Sequence, residues 1–373
     1  MEKEIISTLN SSSYIPAIVG GILISLATTV NLYGKGRSTG ISNMLGDFIR
    51  MRNFYQNLIF ILGMIWVSTF LKVFYAAKLD LFEKPVINTE NLTVIGYIIA
   101  GFLLGLGSRL SAGDESEYMI CGIPRLSKRS FTYTLFATIA AIGTASFNSY
   151  FGFTHKLNIG GGETSYFQML KNRLNPQRLN PLNTDIDHAL FSNFVQTPLF
   201  YATSALVIVL FLHNTYFKKK TYDFEVSLLS GILYGAGCVI SGMTSREKVL
   251  HGLSFNLQFD PCLMIFFMTA IGSNFLIWNL VLNTTRKPMF SDAYNLVSDN
   301  RVDLKFIIGA ALNGVAIGIS GFCIGTSVAS FTVYFPRIAF YLISFFAGQF
   351  ASDLVFDNKF RSEVQQTLES KVQ

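Results

Sequence analysis

The sequence is poor in charged residues and in the residue clusters that bind metals. Lys, Arg, Asp and Glu make up 14% of its 373 residues, whereas an ordinary soluble domain contains about a quarter. This composition excludes a soluble globular protein. The four cysteines and four histidines form no CxxC pair and share no ligand spacing, which argues against structural zinc and thioredoxin-type exchange. We therefore predict no metal and no cofactor.

Motifs of ATP-driven and hydrolytic proteins are also missing from the sequence. It contains no Walker-type phosphate loop, no GxSxG elbow and no paired catalytic carboxylates. An ATP-driven pump and a hydrolase are therefore unsupported, and we predict that the protein is not an enzyme. In so apolar a chain, the formal net charge of +6 is expected to reflect which loops face the cytosol. We predict no nucleic-acid partner.

Long apolar runs are abundant. Half of the residues are hydrophobic, and the mean hydropathy is +0.41. Runs of about 17 to 25 residues can cross a bilayer, and we predict nine such spans, at 14–33, 57–77, 94–110, 130–150, 190–213, 225–242, 262–282, 304–320 and 336–356. The sequence thus predicts an all-α, multi-pass integral membrane protein in contact with the lipid bilayer. The plasma membrane is the expected location, with an organelle membrane as the alternative.

Glycine-rich breaks follow four of these spans. In the phrases that begin at Gly20, Gly101, Gly231 and Gly309, an apolar run with glycines about four residues apart ends in a glycine-rich or polar segment. Irregular backbone is tolerated at membrane depth only where it is buried in protein or lines a cavity. We therefore expect the four breaks to converge in one interior, as in transporters built from repeats with broken helices.

The breaks also divide the chain into two pseudo-repeated halves with two breaks each. The first membrane half is predicted at 1–150 and the second at 190–357. A polar loop at 151–189 connects them, and a polar tail occupies 358–373. Short re-entrant helices are expected beside the breaks.

Four stretches resemble the YeeE/YedE-type sulphur-transport membrane proteins, and they occur in the family's order over nearly the whole membrane region. They are GKGRSTGIS (Gly34–Ser42), CGIPRLSKRS (Cys121–Ser130), ISGMTSREKVLHGL (Ile240–Leu253) with FDP (Phe259–Pro261), and GISGFCIGTS (Gly318–Ser327). The resemblance implies broken, re-entrant helices that meet at a narrow waist, and uptake of thiosulfate passed between cysteine thiols. By position, Cys121 matches the cysteine of the family's CG-x-P-R-L-S phrase, and Cys323 matches that of its GFC-x-G phrase.

One segment departs from the family pattern. Directly before the CG pair, where the family has GCTSGHGI, this chain reads GDESEYMI. Asp114 replaces a cysteine and Tyr118 replaces a histidine, while Glu115 and Glu117 add further acidic groups. Ionised carboxylates repel a dianion strongly in a low-dielectric interior. We therefore expect these acids to pair with Arg109 or another nearby cation, or to lie outside the path.

Cys121 and Cys323 are the principal candidates for the substrate path. A thiol is a weak hydrogen-bond donor, and it suits a pore that must bind a soft sulfur anion and still release it. The alternative is packing, because a free cysteine is often a small buried hydrophobe. Packing is the favoured role of Cys238 and Cys262, although Cys238 is retained as a path candidate. We expect the sulfurs of Cys121 and Cys323 to border one narrow path.

Backbone and cationic groups near the breaks complete the predicted path. Gly122 follows Cys121, and a segment that dips into the membrane there would offer backbone N–H groups to an anion. Arg125 would strengthen the positive field, and Arg37 and Lys248 are similar candidates. The alternative role of each cation is to anchor a loop at the cytosolic surface.

The sequence thus predicts a transporter for a small sulfur-containing anion such as thiosulfate. The anion would pass along a pore lined by glycine-rich broken helices and cysteine thiols. The first alternative is a non-transporting membrane receptor or structural partner derived from such a transporter, because a family cysteine and histidine are replaced. The second is a membrane sulfurtransferase that carries a persulfide on Cys121. The oligomeric state cannot be predicted from the sequence.

Overall fold

The computed structural model describes residues 14–50, 53–79, 92, 94–151, 198, 201–210, 221–254, 259–296 and 301–356, and within these ranges the fold is all-helical. The described α-helices are α1 (Tyr14–Lys35), α2 (Ile41–Ile49), α3 (Phe54–Leu79), α4 (Val94–Leu110), α5 (Lys128–Phe151), α6 (Tyr201–Leu210), α7 (Thr221–Ile240), α8 (Arg246–Leu253), α9 (Cys262–Thr284), α10 (Leu304–Ser320), α11 (Ile324–Ala329) and α12 (Arg337–Phe356). A π-helical turn (Ser116–Ile120) and a 3-10 turn (Ile123–Arg125) lie between α4 and α5.

Seven helical segments in the described ranges are long and apolar enough to cross a membrane. They coincide with seven of the nine predicted spans. Their ends differ by a few residues, except that one segment extends from Leu304 through the fourth break to Ala329. The predicted span 94–110 is α4, an apolar helix of 17 residues with the same bounds. Only α6 and residue 198 are described from the predicted span 190–213, so the count of nine stays a prediction. The predicted loop beyond Phe151 and the tail 358–373 lie outside the described residues.

The helices are apolar on their outer faces and carry polar groups inside. Ile139 and Leu276 are 60% and 71% exposed, which is costly in water but favourable against lipid tails. Asn274 and Asn313, in contrast, lie in apolar helices and are fully buried. Polar side chains within membrane helices face the protein interior, where they find hydrogen-bond partners. The distribution therefore fits an integral multi-pass membrane protein.

The most extensive helix contacts join a helix before residue 152 to one after residue 220. In one group, α7 packs against α1 and α3, and α9 packs against α1. In the other, α10 packs against α4 and α5, and α12 packs against α4. The two groups have the same pattern. In each, the two helices that precede breaks contact each other, and each of them also contacts the long helix that follows the other's break: α1 contacts α9 and α7 contacts α3, and likewise α4 contacts α12 and α10 contacts α5.

Glycines permit these helix contacts. A Cβ on Gly101 or Gly105 of α4 would lie 2.2 or 1.9 Å from the carbonyl oxygens of Tyr341 and Phe345 in α12. Real Cβ atoms do not approach that closely, so only glycine allows the two backbones to touch there. Lipid tails provide no hydrophobic drive between helices, and such close packing stabilises membrane bundles.

Each of the four long helices that precede a break ends at a residue in the left-handed conformation. These residues are Gly36, Ala112, Gly242 and Gly321, with φ between 57° and 74°. At Gly242 the ending is a Schellman motif, in which the N–H of Met243 donates to the carbonyl of Cys238 at 3.1 Å. Ala112 is an exception, because a residue with a Cβ is strained there. A short helical segment follows every break, as expected for re-entrant structure.

The glycine contacts generate the first prediction. Gly105→Ala places a methyl group against the Phe345 carbonyl and should cost about 1–3 kcal/mol, the usual cost of overpacking. We expect a lower melting temperature of the full-length protein in detergent, measured by fluorescence-detected size exclusion after heating.

Gly143→Ala is the matched control for that substitution. Gly143 lies in the long helix α5, and an added Cβ there meets no atom within 4 Å. Alanine also favours the helix slightly, so this variant should melt at or above the wild-type temperature. Equal melting temperatures for the two variants would contradict the role assigned to Gly105.

Candidate functional site

The four breaks, numbered in chain order, lie near Gly34–Gly40, Ala112–Gly122, Gly242–Thr244 and Gly321–Gly325. The first and second breaks are joined by hydrogen bonds from backbone N–H groups to an acidic and a serine side chain. Asp114 Oδ2 accepts from the backbone N–H of Ser42 at 3.1 Å, and Ser116 Oγ accepts from the N–H of Ile41 at 3.0 Å. Both donors lie in the first turn of α2, where N–H groups have no partner within the helix. The second break therefore caps α2, and the positive end of α2 favours the Asp114 carboxylate.

The hydrogen bonds of Asp114 and Glu117 indicate structural roles for both acids. Asp114 Oδ1 also accepts from Ser116 Oγ at 2.7 Å and from the N–H of Glu117 at 3.2 Å. Glu117 accepts from the hydroxyl of Ser38 and lies against Gly40, where a Cβ would stand 2.3 Å from its Oε2. These two acids hold the first two breaks together.

The segment around Cys121 is fixed by side chains from two neighbouring elements. Asn274 of α9 donates to the carbonyl of Ile120 at 2.9 Å, and Arg125 Nε donates to the carbonyl of Cys121 at 3.1 Å. The Cys121 thiol lies 3.7 Å from the carbonyl of Thr39 and is fully buried. Cys121 thus lies at the contact between the first two breaks.

Gly122 is required by packing. A Cβ at this position would lie 1.9 Å from Ser130 Oγ and 2.7 Å from the carbonyl of Tyr118. The glycine lets the chain turn tightly from the π-helical turn towards α5. This contact gives Gly122 a structural role beside the predicted role in the path.

A cavity of about 540 Å³ is bordered by the second, third and fourth breaks, which contribute Asp114, Met243 and Cys323 to its lining. Small-molecule sites commonly have volumes of about 300–1,000 Å³ and apolar walls with a few polar groups. This lining is largely apolar too. Its polar or thiol-bearing residues include Asp114, Glu115, Tyr234, Cys238, Cys323 and Thr326. The structure therefore brings Cys323 and Cys238 together at the cavity, whereas Cys121 is not among its lining residues.

Cys323 also has a structural role, because it caps the start of α11. Its thiol accepts from the N–H of Thr326 at 3.5 Å, and its own N–H donates to Thr326 Oγ1 at 3.0 Å. This reciprocal arrangement is a capping box. The sequence did not reveal it, because cysteine is an unusual residue at this position.

Glu115 differs from its two acidic neighbours. It is only 5% exposed, and its Oε1 accepts from the hydroxyl of Tyr133 at 2.8 Å. Its Oε2 is buried and has no hydrogen-bond partner in the described part of the chain. Tyr133 in turn accepts from Asn313 Nδ2 at 2.7 Å, so the hydroxyl proton of Tyr133 points to Glu115.

Arg246 closes the fourth break, and sequence reasoning missed it. Its Nε donates to the carbonyl of Ser320 at 3.1 Å and its Nη2 to that of Ile319 at 3.3 Å. A buried cation at the end of α10 satisfies carbonyls that the helix leaves free and interacts favourably with the helix dipole. The signal in the sequence was its place directly after the third break.

The other predicted cations lie around the breaks and outside the cavity lining. Arg37 is exposed, and its backbone pairs with Asn295. Lys248 extends over the third break, with Nζ 3.1 Å from where a Cβ on Gly242 would stand. The Arg125 guanidinium lies 5.9 Å from the ring centre of Trp278, and its charge acts on Glu117.

The predicted pairing of Arg109 with Asp114 or Glu115 is wrong. Arg109 forms an ion pair with Asp353 of α12, as does Arg50. The acids of the second break are instead held by hydroxyl and backbone N–H donors. Arg109 is only a few residues away in sequence, but the end of α4 directs it towards α12.

Buried asparagines are the other residues that sequence reasoning missed. Asn274 Oδ1 accepts from Ser25 and Thr28 of α1, each at 2.9 Å, in addition to its bond to Ile120. A lone amide in an apolar span is costly unless it is bonded, so its presence in a membrane helix is itself a signal. The same signal marks Asn313.

Comparison with known proteins finds a sequence family and several relatives that match parts of this chain. Residues 223–362 match a sequence family described as a family of unknown function (DUF6691). A protein of Xylella fastidiosa strain Temecula1 named "Probable transporter" is 35% identical over 136 residues, which cover 36% of this chain and 96% of that relative. A second protein of that name and strain is 25% identical over 137 residues, covering 36% of this chain and 92% of its own length.

The hydrogen bonds of Asp114 generate the second prediction. Asp114→Ala leaves three donors without their acceptor, and each unsatisfied buried group costs about 1–3 kcal/mol. We expect a clearly lower melting temperature in detergent. Asp292→Ala is the control, since Asp292 is exposed and such changes usually stay within about 0.5 kcal/mol. Similar melting of both variants would show that Asp114 does not stabilise α2.

Proposed function

We propose a transport function for this chain, which belongs to the transporter-like membrane family of the Xylella fastidiosa probable transporters and matches DUF6691 over its second half. The substrate is a small sulfur-containing anion such as thiosulfate. It passes through the cavity formed where the helix breaks meet. The observation that carries the proposal is the convergence of two thiols, Cys238 and Cys323, on this cavity.

The chemistry of the lining supports a soft anion. Thiols are weak donors, and a conducting site must bind its ion well enough to admit it and weakly enough to release it. Cys323 is partly exposed, so its sulfur is accessible although it also caps α11. Cys121 is the remaining station of the proposed path, behind the cavity at the contact with Thr39.

We further propose that the transporter consists of repeated units. Four successive parts of the chain each contain a long helix, a left-handed residue, a short helical segment and a second long helix. The relatives support this proposal, because almost the whole length of each matches little more than a third of this chain. Two units make a half, and the two halves enclose the cavity between them.

Uptake by cysteine variants is the third prediction. Cells that express the wild-type chain should take up labelled thiosulfate faster than cells without it, and Cys323→Ser should reduce this uptake. Serine is a strong helix cap, so it preserves the capping of α11 and removes only the sulfur. Cys323→Ala removes both and should lower the melting temperature as well.

Cys262→Ala is the matched control, because Cys262 is a buried cysteine that does not line the cavity. Uptake should be normal in this variant. A panel of thiosulfate, sulfate, sulfite and sulfide identifies the substrate. No uptake of any of the four by wild type would overturn the transport proposal and favour a receptor. Normal uptake by both Cys323 variants would instead show that this thiol only packs and caps.

A further inference from the structure

We propose that Glu115 is a proton-binding site, and that one proton accompanies each anion through the cavity. The inference rests on the proposed transport function and adds its coupling ion. Glu115 lies in the segment Gly113–Ile120, where the chain departs from the YeeE/YedE-type pattern. The site consists of the Glu115 carboxyl group, the Tyr133 hydroxyl and the Asn313 amide.

The hydrogen bonds around Tyr133 define which oxygen takes the proton. The amide NH2 of Asn313 can only donate, so it uses a lone pair of the Tyr133 oxygen and leaves the hydroxyl proton for Glu115. Glu115 Oε1 therefore accepts in either protonation state of the carboxyl group. The proton goes to Oε2, the buried oxygen that has no partner among the described residues.

No basic side chain of the described residues is bonded to Glu115. In the described part of the chain, the side chains whose charge or hydrogen bond acts on Glu115 are Asp114 and Tyr133, neither of them basic. Several other titratable groups of the described residues surround the segment. They are Asp114, Glu117, Tyr118 and Cys121 beside it, Tyr133 and Arg129 of α5, Tyr234 and Cys238 of α7, Cys323 before α11 and Tyr341 of α12, with Arg125 acting on Glu117. An unpaired buried carboxylate is costly, so proton binding at Glu115 relieves that cost.

Proton binding changes what an anion meets in the cavity. Ionised Glu115 repels an anion, and the repulsion is strong in an apolar cavity. Neutral Glu115 offers an O–H donor at Oε2 instead. The anion and the proton thus favour each other's binding, and such coupling is reciprocal. Both are released on the far side, where the acid returns the proton to water.

The acids next to Glu115 do not share this property. Both oxygens of Asp114 accept hydrogen bonds, from three donors of which two are backbone N–H groups, and these bonds hold the carboxyl group against the first turn of α2. Glu117 is engaged with Ser38 and packs on Gly40. Of the three acids, only Glu115 has an oxygen that is both buried and without a hydrogen-bond partner among the described residues, and this residue lines the cavity, as Asp114 does.

The experiment uses the full chain in proteoliposomes that contain a pH-sensitive dye, with labelled thiosulfate outside. Wild-type uptake should fall about tenfold per pH unit above the titration of Glu115, and uptake should acidify the interior. Glu115→Gln keeps an acceptor for Tyr133 and an N–H donor in place of Oε2. Its uptake should be independent of pH and should cause no acidification. Glu225→Gln, at an exposed position of α7, should behave as wild type.

Infrared spectroscopy of the purified protein provides a readout that does not depend on transport. The difference between the spectra of wild type and Glu115→Gln should contain one carbonyl band of a protonated carboxylic acid, and this band should titrate with pH. Uptake that is independent of pH in wild type, or an unchanged pH profile in Glu115→Gln, overturns the coupling and leaves the transport function intact. No uptake of any anion by wild type overturns both.

Discussion

The fold depends on one constraint: where a helix breaks in an apolar interior, the backbone groups that it releases must be bonded by protein. Water is not available to them there, and each unsatisfied group is expensive. Asp114 and Ser116 accept hydrogen bonds from the first N–H groups of α2, and Asn274 donates one to the carbonyl of Ile120. Arg246 takes the last carbonyls of α10. These bonds join the breaks in two pairs, the first with the second and the third with the fourth.

The same constraint separates the structural polar residues from the functional candidate. Residues whose two carboxylate oxygens are both bonded to neighbouring breaks or turns, such as Asp114, hold the breaks together. Glu115 has a free oxygen at the cavity, and Cys323 combines both roles because its thiol caps α11 and still reaches the lining. Polar groups that a fold leaves unsatisfied in its interior are therefore the places to look for chemistry.

The sequence predicted the membrane helices well because bilayer thickness sets their length and apolar composition marks them. The predicted spans 94–110 and 304–320 have the bounds of α4 and α10, and six others differ from their helices by a few residues. Glycine also marked the breaks, since left-handed residues favour it, although Ala112 broke this rule. The partners across the breaks were not predictable, because Ser42 and Asp114 are 72 positions apart. Neighbouring residues in sequence, such as Arg109 and Asp114, proved to have separate partners.

The interlocking of helices from before residue 152 and after residue 220 has a consequence for biosynthesis. The ribosome delivers α1 to α5 to the membrane first, and their glycine-bearing faces then have only lipid beside them. The backbone contacts of Gly101 and Gly105 in α4 form only after α12, the last described helix, has been inserted. The bundle can close only after nearly the whole chain has been inserted. Premature termination at any earlier point leaves the membrane insertion machinery with helices that have no partner, which makes truncated chains targets for quality control.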